Sequence, residues 1–182
     1  MQSRIPPQSL FDSCYHGEEA KVTSALGNDV GMDLDRHGDR GNTLLYTACR
    51  GPSCSVEVVR ALLQAGASPH VLSSRGSLPQ HAIVSCFRDN SQDESLVERL
   101  VRVLDVLDAH YACFQSKNLD GRSAYDELLS CSASGLREVL ETKLAAAELG
   151  FHKVRCFSLH RWRPPHHWRA ADKCCAGSRR RD

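Results

Sequence analysis

Glycines recur at matched distances along this chain, and that periodicity constrains the fold more than any other feature. Gly31 to Gly41 is ten residues and Gly66 to Gly76 is ten; Gly31 to Gly66 and Gly41 to Gly76 are each 35. A third mark, Gly121, follows Gly76 by 45 residues. The flanking residues recur as well. Gly41-Asn42-Thr43-Leu44-Leu45-Tyr46-Thr47-Ala48 aligns with Gly76-Ser77-Leu78-Pro79-Gln80-His81-Ala82, and more loosely with Gly121-Arg122-Ser123-Ala124-Tyr125. A fixed period in this range denotes one supersecondary unit that buries its apolar face only by stacking on its neighbours.

The residues between the glycines carry helical spacing. Val58, Val59, Leu62 and Leu63 fall on one face of a helix, and Gly66 supplies the left-handed residue that ends it. Val97, Leu100, Val101, Leu104 and Leu107 repeat the pattern over a longer stretch, which Ser95 can cap. Leu136, Val139, Leu140 and Leu144 give a last amphipathic helix. The ten extra residues of the longer interval are assigned to a loop over 86–95, whose polar run Arg88–Ser95 has no apolar period. Aromatic residues are 6% of the chain, so the core is aliphatic. The fold class expected is all-α, an α-solenoid of about four helix-turn-helix repeats with extended hairpin turns. Leu45, Ala48, Val58, Val59, Leu62, Leu63, Ile83, Leu100, Leu104, Leu128 and Leu140 are the expected core.

These segments resemble the ankyrin repeat. The family's T-P-L-H-x-A pattern is matched by Thr43-Leu44-Leu45-Tyr46-Thr47-Ala48, by Leu78-Pro79-Gln80-His81-Ala82-Ile83 and loosely by Ser123-Ala124-Tyr125-Asp126-Glu127-Leu128. Its L-L-x-x-G-A pattern stands as Leu62-Leu63-Gln64-Ala65-Gly66-Ala67. The resemblance implies an array over residues 8–148, with a degenerate first unit at 8–38 and further units at 39–73, 74–118 and 119–148. Tyr46 and Asp126 replace the family histidine, which ties adjacent turns by hydrogen bonds, so His81 is the one histidine able to act in that manner.

The resemblance also implies a function. Such arrays act as non-catalytic scaffolds or adaptors and seat a protein or peptide partner on a concave face made by turn tips and first helices. Transferred position by position, that face comprises Asp39, Arg40, Asn42 and Arg50, then Ser74, Arg75, Ser77 and Ser85, then Leu119, Asp120 and Arg122. Arg40 and Arg75 share one slot, one residue before the motif glycine, and Arg122 lies one residue after it. A row of guanidinium forks suits carboxylates or phosphates, hence an acidic or phosphorylated peptide. The same residues also read, more simply, as a solvated rim.

Charge separates the chain into two parts. Residues 1–150 hold 14 Lys and Arg against 20 Asp and Glu, whereas residues 151–182 hold 9 against 2. The acidic body is a poor nucleic-acid groove. The tail, 149–182, is basic and rich in His, Cys and Trp; Pro164-Pro165 forbids a helix through its middle, and disorder is expected. Other readings of the tail are a zinc site from Cys156, His160, His166 or His167 and Cys174 or Cys175, an adaptor surface for nucleic acid or anionic membrane, and an unselected alternative end. No apolar run long enough to span a membrane is present. Residues 1–7 lack the apolar core of a secretory leader, so the nine cysteines are expected as reduced thiols in a cytoplasmic, or also nuclear, protein. Cys14, Cys49, Cys86, Cys113 and Cys131 read as small buried hydrophobes.

Motifs of known chemistry are missing: there is no phosphate-binding glycine loop, no H-E-x-x-H and no C-x-x-C. Asp33, Asp35 and Asp39 lack the glycine and distal glutamate of a calcium loop and read as a solvated turn. His81 and Cys86 are the nearest approach to a nucleophile pair, with nothing to supply an oxyanion site. Neither enzymatic activity nor a cofactor or metal is expected.

Overall fold

Thr43, Ser55 and Ser123 each start a helix by the same local chemistry: a side-chain oxygen accepts a backbone N–H of the first turn that has no partner within the helix. The Thr43 hydroxyl accepts from Tyr46 at 3.2 Å, Ser55 from Val58 at 3.3 Å and Ser123 from Asp126 at 3.1 Å. The computed structural model describes residues 4–28, 31–90, 93–110, 112, 116–130 and 142. Among them seven helices follow one another: α1 (Gln8–His16), α2 (Glu19–Asn28), α3 (Leu44–Arg50), α4 (Val56–Gln64), α5 (Pro79–Asp89), α6 (Glu94–Ala109) and α7 (Ala124–Leu129). The β-structure among these residues consists of two isolated bridges, Arg4 with Met32 and Lys117 with Ser123.

The helices form two rows. In one, α1, α3, α5 and α7 stack in sequence; in the other, α2, α4 and α6 do. The first three helices of that row also pack on their successors in the chain, α1 on α2, α3 on α4 and α5 on α6. The aliphatic stripes meet between the rows in one continuous core. Leu45, Val58, Val59, Leu62, Leu100 and Leu128 are wholly buried, and Ala48, Leu63, Ile83 and Leu104 nearly so. Of the expected core, only Leu140 lies outside the described residues, as do the expected last helix, the tail, Cys113 and Cys131. The described residues form an all-α solenoid.

Gly66 ends α4 as its position suggests. Its φ is +101°, its N–H donates to the Leu63 carbonyl at 3.1 Å, and the Ala67 N–H reaches the Leu62 carbonyl at 3.0 Å. That bond pair is a Schellman cap.

The loop expected over 86–95 is a correction. Residues Arg88 and Asp89 belong to α5, and Glu94 and Ser95 belong to α6, which leaves a connection of 90–93. The longer repeat interval is absorbed as helix: α5 has 11 residues where α3 has 7, and α6 has 16 where α4 has 9. Phe87, wholly buried, anchors the end of α5, so the polar residues beyond it face solvent as part of a helix. Asp93 is the cap of α6 in place of Ser95; its Oδ1 accepts from the Ser95 N–H at 3.0 Å and from the Leu96 N–H at 3.2 Å. A carboxylate two residues earlier satisfies the first-turn donors and complements the helix dipole, so Ser95 is drawn inside.

Candidate functional site

The three motif glycines hold one backbone conformation. Gly41, Gly76 and Gly121 have φ of +71°, +72° and +73°. Each donates its N–H three residues back, to Gly38, Ser73 and Asn118 at 2.8, 2.8 and 3.0 Å. The turn is closed by a second bond, from the N–H of Gly38, Ser73 or Asn118 to the carbonyl of Asn42, Ser77 or Arg122, at 2.9, 2.8 and 2.9 Å. A left-handed glycine in the last position of a three-residue hairpin loop gives this pattern, and a side chain there would be strained.

Adjacent turns are bonded to one another. The Ser74 N–H donates to the Gly41 carbonyl at 2.6 Å, and the Leu119 N–H donates to the Gly76 carbonyl at 3.1 Å. Side chains add to the backbone ladder. Asp35 Oδ1 accepts from the Ser68 N–H at 2.7 Å, and His37 Nε2 meets the Leu72 carbonyl at 2.7 Å. Burial raises the Asp35 pKa above the ordinary carboxylate range, opposed by the Ser68 bond and reinforced by the charge of Asp33. His81 joins the second pair of turns. Its Nδ1 accepts from the Leu78 N–H at 3.3 Å, which leaves Nε2–H to donate to the Arg122 carbonyl at 3.0 Å. Leu78 has no oxygen with which to cap α5, and His81 satisfies its N–H from three residues on. Both ring nitrogens are thereby occupied, which removes His81 as a base for Cys86.

Asp126 stands in the same slot as His81 and keeps half of that role. Its Oδ2 accepts from the Ser123 N–H and hydroxyl, each at 2.8 Å, and those two bonds hold its carboxyl below the usual range. A carboxylate has no proton to give a carbonyl, so Asp126 cannot make the bond that His81 makes through Nε2.

Against this frame of turn tips and first-row helices, the residues expected to bind fall into two groups. Asp39, Arg40, Asn42 and Arg50 line one groove of about 320 Å³, together with Gln8, Phe11, Asp12, Tyr15 and His16 of α1 and Gly38 and Thr47. Ser74, Arg75, Ser77 and Arg122 lie outside it, on the next two turns. Arg40 and Arg75 are exposed and make no ion pair or side-chain hydrogen bond among the described residues. Arg50 is half-buried, and its guanidinium pairs with Asp89 at the end of α5. The Arg122 guanidinium bonds the Ser130 hydroxyl. Ser74 and Ser77 serve the turns through their backbones, the Ser77 N–H donating to Ser73 Oγ at 3.1 Å. Ser85 is half-buried, Asp120 is exposed, and Leu119 is 74% exposed at a turn tip. Tyr46, half-buried on α3, has its phenol pKa raised by burial, against the lowering charges of Arg50 and Arg75.

The repeat model described as Ankyrin repeat matches residues 40–74, from the residue before Gly41 to Ser74, whose N–H bonds back to Gly41. That stretch is an ankyrin repeat. No curated protein matches it. Ankyrin repeats are modules of protein–protein interaction and are typically non-catalytic. No helix among the described residues is long and apolar enough to cross a membrane.

Two features were not expected from the sequence: the α1 contribution to the groove and the commitment of Arg50 to Asp89. The first had a signal: Phe11 and Tyr15 are four residues apart, on the face that an inner-row helix turns toward its neighbour. The second has none, because the polar run around Asp89 carries no apolar period to mark a helix.

Proposed function

We propose that the array, over residues 8–148 in units 8–38, 39–73, 74–118 and 119–148, binds an acidic or phosphorylated segment of a partner protein across its turn tips and first-row helices. The observation that carries this reading is the bond from the Ser74 N–H to the Gly41 carbonyl, which sets Arg40 and Arg75 on adjacent tips, both exposed and uncommitted. An extended segment crossing the tips meets one guanidinium and then the next. The groove beside Arg40, with Phe11 and Tyr15 on its α1 wall, would hold an apolar or aromatic residue of the same segment. An exposed arginine–carboxylate contact contributes about 0.2–1 kcal/mol unless it is bidentate and desolvated, so the pair together with the groove has to supply the affinity.

The test is an array of acidic and phosphorylated peptides probed with the full chain and with Arg40→Ala/Arg75→Ala. Binding is expected to fall several-fold in the double variant, more at low salt than at high salt. Unchanged binding at low salt sinks the arginine reading and directs the search to the outer helices or to the basic tail.

A further inference from the structure

Three cysteine side chains converge where the α3–α4 connection meets α5. Cys49, Cys54 and Cys86 are all fully buried, and none is in a disulfide. The Gly51 carbonyl marks the meeting point: it accepts the Cys54 N–H at 3.1 Å and the Cys86 thiol at 3.2 Å. Cys54 Sγ lies 3.8 Å from the Cys49 carbonyl, and the shared Gly51 carbonyl brings the Cys86 thiol beside the Cys54 backbone. Cys54 is also the one described non-glycine residue with a left-handed backbone, at φ +38°. A non-glycine residue is uncommon in that region, and such outliers collect where a side chain has to be aimed.

We propose that Cys54 and Cys86 are a reversible thiol–disulfide pair that links the α3–α4 connection to α5. The two thiols are chemically unequal. The Cys54 thiol, assisted by the charges of Arg50 and Arg99 and opposed by burial and Asp89, lowers the pKa of Cys86. Cys54 is shifted the other way by the same contact and by burial, and burial raises Cys49 as well. Cys86 is therefore the nucleophile and Cys54 the resolving thiol.

With a peroxide as oxidant, the Cys86 thiolate attacks one peroxide oxygen. The S–O bond forms, the O–O bond breaks, and the departing hydroxide leaves as water after taking up a proton. Cys54 then loses its proton and attacks the Cys86 sulfur. The S–S bond forms, the S–O bond breaks, and hydroxide leaves with that proton as a second water. Two thiols and one peroxide give one disulfide and two waters. Full burial makes opening of the 51–55 connection the gate for the oxidant. The product covalently joins two neighbouring helix pairs beside the Arg50–Asp89 ion pair.

Trypsin separates the three thiols for the test, because it cuts after Arg50, Arg60, Arg75 and Arg88. The full chain is exposed to hydrogen peroxide, quenched with an alkylating agent and digested without reductant. The expected product is a peptide of residues 51–60 linked to one of residues 76–88, lighter by two hydrogens and returned to the free thiols by reductant. Cys54→Ser and Cys86→Ser each abolish it, and the oxidised wild-type chain melts higher than the reduced one while oxidised Cys54→Ala does not. A link from Cys49 instead, a Cys86 sulfinic acid without any link, or a linked peptide formed only in denaturant overturns the proposal. The wild-type linked peptide decides the matter even if a variant fails to fold.

Discussion

The imidazole of His81 bridges two turns that are far apart in the chain: Nδ1 accepts from the Leu78 N–H, and Nε2 donates to the Arg122 carbonyl at 3.0 Å. The ring is nearly inaccessible, at 1% exposure, so neither bond is replaced by water when the ring is removed. His81→Ala leaves a buried donor without a partner and a gap between α5 and the turn before α7. Leaving a buried polar group unsatisfied costs about 1–3 kcal/mol, and His81→Ala is expected to lower stability by at least that much in urea titration. A loss well under 1 kcal/mol would mean that water enters and the bridge is dispensable.

Gly41 and Gly121 share a backbone conformation but not an environment. An added Cβ at Gly41 would come within 2.6 Å of Ser74 Cβ, on the next turn, whereas at Gly121 nothing lies within 4 Å. Gly121→Ala should therefore cost only the left-handed strain, about 1–2 kcal/mol. Gly41→Ala should cost that and also push apart the turns joined by the Ser74–Gly41 bond. Chemical denaturation of the two variants side by side checks the order; equal losses would show that the turn-to-turn contact yields freely.

Asp35 accepts the Ser68 N–H while its carboxyl pKa is raised, chiefly by burial. An acid with a raised folded pKa contributes most below its unfolded value, and that contribution is lost as pH rises through the folded pKa. Asp35→Asn keeps the accepting oxygen and removes the buried charge. The variant should melt higher than wild type at neutral pH, with the difference closing near pH 3, where the wild-type carboxyl is protonated. Thermal melts across that range test it, and an Asn variant less stable at neutral pH contradicts the burial argument.

Leu62 is wholly buried on the apolar face of α4, between the two rows of helices. Truncation to alanine removes Cγ and its two methyl groups from a packed site and should cost about 2–5 kcal/mol. Leu119→Ala, at an exposed turn tip, should fall within about 0.5 kcal/mol of wild type. Denaturant midpoints of the two leucine variants measured together separate burial from leucine content.

The glycine periodicity was readable because a left-handed residue at a tight turn restricts the amino acid used there. Gly41, Gly76 and Gly121 had to be glycine, and their spacing survived where Tyr46 and Asp126 had departed from the histidine slot. The apolar stripe of α4 and its end at Gly66 were readable for a related reason: helical period and a Schellman glycine are both local. The arginine slot at Arg40 and Arg75 came from the same register. The groove that four of the expected binding residues line was not readable, because its other wall comes from α1, a unit whose motif is degenerate.

What the sequence by itself determined is everything set by neighbours within about a turn of chain: the caps at Thr43, Ser55 and Ser123, the left-handed glycines, the apolar faces and the repeat interval that makes them stack. The tertiary structure alone decided the rest. Burial of Phe87 and capping by Asp93 turned a polar stretch into helix at the ends of α5 and α6. Stacking of α3 on α5 brought Arg50 to Asp89 and Cys54 to Cys86, residues more than thirty positions apart. Such pairings depend on the distance and angle between successive helix pairs, which no local preference encodes, because the chain between the partners folds the same way wherever its neighbour is placed.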